Sequence, residues 1–199
     1  MFAILAEDRS DFLTLKEIIW KLCGDKSLAI KGRGFGSGSE LLKDGARELK
    51  ALLNIGTIKS VIVCHDADDY CANKKHEEIY NKVIRPVVRS DSEAVSIVPI
   101  SMIESWILAD INACRKVFLS LPAQKEVVTP ESCRQPKNEI ERVCKNGAKP
   151  RYSNATHNQL IAPHLDLKKI YQRCPSFRPL TYAVDEIYLG KRRDAKEWK

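Results

Sequence analysis

The chain has no C-x-x-C pair, no Gly-Lys-Ser/Thr phosphate loop, no G-x-G-x-x-G turn and no apolar run long enough to span a bilayer. The first absence, with an odd count of seven cysteines, argues against both a disulfide framework and a zinc ribbon. The thiols read as reduced and largely buried. The missing Walker and Rossmann spacings mean that ATP or dinucleotide chemistry would have to come from another protein. Met1-Phe2-Ala3-Ile4-Leu5-Ala6 lacks the basic start of a signal peptide, so the chain is expected to be cytoplasmic, with no membrane contact. There is no internal repeat and no low-complexity tract.

Two features stand against this plain background. The first is charge. The 199 residues carry a net +7, unevenly placed. Residues 133–199 hold fifteen Lys/Arg and seven Asp/Glu, whereas residues 1–132 hold eighteen and nineteen. A basic half suits an anionic partner, with nucleic-acid phosphate first and an acidic protein as the alternative. A plainly solvated surface is the third reading.

The second is Ser60–Asp69. A β-branched run, Val61-Ile62-Val63, leads into Asp66, Asp68 and Asp69. It is too short for a helix and reads as a buried strand. Phe2–Ala6, Leu28–Ile30 and Ala94–Val98 read as further strands. Helices are expected over 10–22, 39–53, 73–89 and 101–119. Alternation of this kind predicts an α/β fold with a parallel sheet of about four strands over residues 1–120. Residues 121–199 read as a helical, basic extension packed on it, with helices near 137–146, 157–163, 166–173 and 180–189.

A parallel sheet gathers the carboxyl ends of its strands on one edge. Glu7 and Asp8 follow the first strand, Asp66 and Asp68 the third, and Glu104 lies just past the fourth. Asp66 and Asp68 lie two apart at the end of the strand, so their side chains point the same way and converge. Clustered carboxylates require a proton or a cation between them, and Mg²⁺ or Mn²⁺ suits oxygen donors. The bland alternatives are a turn after the strand, and capping by Asp8, Ser10 or Asp11. His65 reads as a hydrogen-bonded structural residue rather than a catalytic one. Arg33-Gly34-x-Gly36-x-Gly38 would let backbone approach a phosphate, with Arg33 neutralising it, or is a flexible turn. Lys74 and Lys75 would face substrate phosphate or simply begin an exposed helix. Trp106 reads as core, with base stacking the lesser alternative.

Glu7 after an apolar strand, Asp11, and the strand ending in Asp66-x-Asp68 together resemble the Toprim domain of topoisomerases, bacterial primases and OLD-family nucleases. Pro99–Asp110, with its Glu-Ser-Trp-Ile-Leu-Ala-Asp core, and Cys174–Arg178 resemble segments of small stand-alone Toprim-like proteins. These are commonly encoded beside an ABC- or AAA-type ATPase in phage-defence operons. The resemblance implies a nuclease acting on DNA or RNA. Glu7, Asp66 and Asp68 would be its catalytic and metal-holding residues, Glu104 a further metal ligand, and Asp11 and Asp69 outer supports. A homo-oligomer is compatible with it. Asp8 stands where Toprim proteins usually carry Gly. Two alternatives stay open: a non-catalytic module binding nucleic acid or an ATPase, and a receiver-like phosphoacceptor domain with Asp66 as the acceptor.

Overall fold

In the computed structural model, residues 1–58, 60–68, 71–90, 93–145 and 151–193 are described; Asp69 lies outside them. Four strands, β1 (Phe2–Ala6), β2 (Ile30–Gly34), β3 (Ser60–Cys64) and β4 (Ala94–Ile97), form one parallel sheet in the order β2-β1-β3-β4. The expected α/β fold is observed. Every residue of β1 and β3 is buried, as expected for central strands covered on both faces.

Alternate side chains supply two cores. Phe2, Ile4, Ile62 and Ile97 point to one face, and Ala3, Leu5, Val61 and Val63 to the other. The second face is covered by α2 (Gly38–Leu53), by α3 (Ala72–Ile79) and by the wide π turn Tyr80–Ile84 that continues it. The first face is covered by α1 (Arg9–Cys23), α4 (Glu104–Ala109) and four C-terminal helices. These are α5 (Pro136–Lys145), α6 (Asn154–Ile161), α7 (Leu167–Arg173) and α8 (Arg178–Leu189). Ile140, Ile161, Ile170 and Leu180 thus share one core with the sheet. Among the described residues, no helix is long and apolar enough to cross a membrane.

Local chemistry explains most boundaries. Asp8, with extended backbone, caps α1 by accepting the Asp11 N–H at 2.8 Å, and Gly24 ends that helix in the left-handed conformation. The cap is therefore Asp8 rather than Ser10 or Asp11. Ser37 caps α2 by accepting from Glu40 N.

The glycine-rich stretch departs most from expectation, since β2 runs through Arg33 and Gly34. Gly32 and Gly34 make room for neighbouring backbone, whereas Gly38 makes room for His65 and Glu7. A Cβ on Gly32 would stand 1.8 Å from Ile4 O, and one on Gly34 1.9 Å from Asp8 O. Arg33 is correspondingly outside the acidic edge. Its guanidinium lies 3.5 Å from Glu40 and 3.9 Å from Glu48, over the Phe35 ring.

The helix expected over 101–119 also breaks. Asp110 leaves helical geometry, its carboxylate accepting from Asp166 N and Lys169 Nζ, and a 3₁₀ segment Ile111–Lys116 follows. At the C-terminal side, Arg193 is more than a solvated end. Its Nε donates to buried Asp185 at 2.8 Å.

Candidate functional site

β2 and β4 lie on opposite sides of the β1–β3 pair, so the chain leaves β1 and β3 in opposite directions. That divergence opens a crevice at their carboxyl ends, where doubly wound sheets keep ligands. Glu7, one residue past β1, and His65 and Asp66, just past β3, meet there.

His65 is buried and central. Its Nδ1 stands 2.9 Å from Glu7 Oε2 and 2.9 Å from the Asp66 carbonyl oxygen. Its Nε2 is 3.5 Å from Lys75 Nζ. An ammonium can only donate, so Nε2 is the acceptor and the ring proton sits on Nδ1, facing Glu7 and Asp66. Glu7 Oε2 is sealed from solvent and lacks an aligned donor. Burial pushes the Glu7 carboxyl up. His65, with the N–H groups of Gly38 and Asp66, outweighs this, so its pKa is lowered and it is ionised near neutrality. The sequence alone suggests only a structural role for His65. The signal for more is its place beside Asp66 at a strand end.

Gly38 makes this packing possible. A Cβ there would stand 2.4 Å from His65 Nε2 and 3.3 Å from Glu7 Cδ. Gly38→Ala should therefore displace the imidazole and lower any activity of the site about 10-fold or more, in line with the cost of misplacing a reacting group. Circular dichroism should stay native. Full activity in the Ala variant would show that the His65 position is immaterial.

Asp66, Asp11 and Glu104 form the buried floor. Asp66 Oδ1 accepts the Ile103 N–H at 3.1 Å. Burial, then the charges of Asp11, Glu104, Glu7 and Asp68, pushes the Asp66 carboxyl well above the carboxylate range. Asp11 is raised likewise, by burial and then by Asp8, Glu104 and Glu7. Glu104, also raised by burial, accepts from Asn158 Nδ2 at 3.0 Å, and Asn158 Oδ1 accepts from Tyr152 at 2.6 Å. α6 thus supplies a support for Glu104 that no local pattern announces. Asp11 is nearer the centre than an outer support or a cap would be.

Asp68 is placed differently from Asp66. β3 ends at Cys64, so strand alternation does not govern either residue, and Asp68 has φ +50°. Asp66 is buried while Asp68 is exposed on the rim. Asp68 N donates to Ser101 O at 2.8 Å, and Ser101 has φ +65°. These are the two non-glycine residues with positive φ among the described residues, and they are joined to each other. Such strain is held only where surrounding structure enforces it.

A hollow of about 490 Å³ opens over Glu7, His65 and Asp68, with Lys74, Lys75 and Glu78 on its far wall. Lys75 is buried, not at an exposed helix start, and lies 3.3 Å from Glu78; Lys74 is exposed. The structure thus brings Glu7, Asp66, Asp68, Glu104, Lys74 and Lys75 to one edge and leaves Arg33 elsewhere. A carboxylate set of this kind fits a hard divalent cation in its chemistry. Its side chains are not drawn into a cage: among the described residues no three His, Cys, Asp or Glu stand grouped to hold an ion.

Residues 7–185 match the family described as "Domain of unknown function (DUF4276)". The chain belongs to that family. The DUF4276 match begins at Glu7, just past β1, and runs through β2 to β4 and α5 to α7 into α8, so it embraces both the acidic edge and the helices that buttress it. The stretches around Glu104 and Ser176 meet within it: Trp106 Nε1 donates to Ser176 Oγ at 3.0 Å, and Trp106 packs edge-on against Phe177. Neither a curated protein nor a solved structure matches the chain.

Proposed function

We propose that the protein is a Toprim-like, Mg²⁺- or Mn²⁺-dependent nuclease of the cytoplasm, hydrolysing phosphodiesters of DNA or RNA. In this reading it is a phage-defence effector under the control of a separate ABC- or AAA-type ATPase. The observation that carries the chemistry is the convergence of Glu7 and Asp11, Asp66, and Glu104 from three stretches of chain on one sheet edge, where Glu7 also lines a hollow with Lys74 and Lys75. Glu7 and Asp68 line that hollow together with the two lysines, a mix of charge that suits a phosphoryl group bridged to carboxylate by a cation. The ATPase and the defence role rest on the sequence resemblance.

Glu7, Asp66 and Glu104 would hold the metal, with Asp68 reaching it from the rim. A bound divalent ion supplies Lewis acidity and a water deprotonated near neutral pH. Ionised Glu7, fixed by His65, orients the attacking water. Lys74 and Lys75 face the non-bridging phosphate oxygens. The water oxygen forms the new P–O bond, the bridging P–O bond breaks, and the leaving oxygen takes a proton.

Glu7→Gln tests this. It keeps the shape of the side chain and removes its charge. Mn²⁺-dependent cleavage of labelled DNA and RNA, assayed with and without the ATPase encoded nearby, should fall at least ~100-fold, within the range for loss of a positioned acid–base group. Cleavage that survives unchanged rejects the site. The receiver reading is less favoured: among the described residues the sheet has four strands, and no fifth brings a lysine. An acyl-phosphate on Asp66 after exposure to a phosphoryl donor would reverse that preference. A silent binding module would lose nothing biologically on Glu7→Gln.

A further inference from the structure

Asp68 lines not one hollow but three. Across it from the lysine-walled hollow lies a second, of about 530 Å³, lined by Asp68, Met102, Arg134, Gln135, Lys137 and Asn138. A smaller third hollow of about 200 Å³ continues past Ser101 and shares Arg134. The far wall is tied to the rim. Ser101 Oγ donates to Arg134 O at 3.2 Å, while Ser101 O accepts from Asp68 N. The Asp68–Ser101 pair is thus tied to the Arg134 backbone.

The cations there differ from the ion-paired members of the basic half. Arg142 pairs with Glu139, Arg151 with Glu141, Lys169 with Asp110 and Glu126, Arg173 with Glu126, and Arg193 with Asp185. Among the described residues Arg134 and Lys137 have no ion-pair partner, and both are exposed. Among the described residues of the basic half, Lys145, Lys168, Arg178 and Lys191 also have no ion-pair partner, but none of them lines this hollow. These two charges are held open beside the acidic edge, with the amides of Gln135 and Asn138 as neutral hydrogen-bonding neighbours.

We propose that the hollow of Arg134 and Lys137 is a phosphate subsite, so that a polynucleotide backbone crosses Asp68 with one phosphate held by Lys74 and Lys75 and another by Arg134 and Lys137. This rests on the nuclease reading for what happens at the centre, but the track itself is a binding claim. A monophosphate ester would use one hollow only; a chain of phosphodiesters uses both. Arg134 meets phosphate as a fork and Lys137 as a point charge. Among the described residues that line this hollow there is no aromatic ring for base stacking, so the track reads backbone rather than sequence.

The test is fluorescence anisotropy with labelled strands of about 16 nucleotides, as DNA, as RNA and as the DNA duplex, in EDTA so that nothing is cut. Arg134→Gln/Lys137→Gln is compared with Arg142→Gln/Arg151→Gln, which removes the same charge from paired positions. The wild type should bind at least one strand type. The first double variant should bind a single strand roughly 5-fold more weakly at 0.1 M salt, with a log–log salt slope shallower by about 0.7. The control should keep the wild-type slope. No binding by the wild type, or the same loss in both variants, overturns the track. If binding depends on Arg134 and Lys137 while Mn²⁺ then yields no cleavage, the track stands and the nuclease reading falls.

Discussion

Asp66→Asn should make the metal-free protein more stable and deaf to divalent ions. Asp66 and Asp11 are buried and raised together, so their ionised forms are disfavoured in the fold. For a carboxyl whose folded pKa exceeds the unfolded one, the stabilisation is complete below the unfolded value. It is lost as pH rises through the folded value. Glu104, raised by burial, has the same sign. Glu7 is lowered and has the opposite sign, its contribution vanishing as pH falls through its folded value. The metal-free protein should therefore melt at a lower temperature at pH 8 than at pH 5.5. A tenfold change in proton affinity on folding is worth about 1.4 kcal/mol, and each kcal/mol about 2–4 °C of melting temperature for a chain of this size. The amide removes one charge and still accepts from Ile103 N. At pH 8 without metal, the Asp66→Asn variant should melt several degrees above wild type by that conversion. Millimolar Mg²⁺ or Mn²⁺ should raise the wild type toward it and leave the variant unmoved. A variant less stable than wild type at pH 8, or one that still responds to the ions, removes the case for a shared cation pocket.

Trp106→Ala should be the most damaging single change away from the acidic edge. Its side chain is fully buried, its indole N–H bonds to Ser176 Oγ, and its ring meets Phe177 at 5.1 Å between centroids. Truncation removes a large apolar surface and leaves a cavity between α4 and the segment entering α8, at a cost of about 3–5 kcal/mol. Trp106→Phe keeps most of the contact and loses one hydrogen bond, about 1 kcal/mol. Urea titration should separate the two variants by that margin. Near-equal midpoints would place the stability of this junction elsewhere. Because Glu104 begins the same helix, the Ala variant should also disturb the acidic floor, visible as a weaker ion-induced rise in melting temperature.

What the sequence discloses follows from where the information is stored. β1 and β3 are legible because a strand covered on both faces needs consecutive apolar side chains. Hydropathy places β2 too early, because an edge strand with Gly32 and Gly34 is specified by backbone fit against Ile4 and Asp8, which no such pattern records. The four C-terminal helices lie close to where periodicity puts them, whereas α4 stops short because Asp110 is claimed by Asp166 and Lys169 more than fifty residues away. At the site, Glu7, Asp66, Asp68 and Glu104 are visible as acids at strand ends. Asn158 and Tyr152, which hold Glu104, are not, since their partnership exists only in three dimensions. His65 is visible but undervalued, because its two neighbours come from the end of β1 and from α3.

The order of the chain along the shared core has a consequence for synthesis. The last strand ends at Ile97, yet the helices that roof Phe2, Ile4 and Ile62 are not complete until about Val184. At bacterial-to-eukaryotic elongation rates that interval is about 4 to 17 s. Throughout it that face of the nascent sheet has α1 upon it but lacks the C-terminal helices that complete its cover. A fragment ending between those points is therefore expected to bury less of its apolar surface and to aggregate where the full chain does not, which light scattering of a product truncated after residue 120 would check.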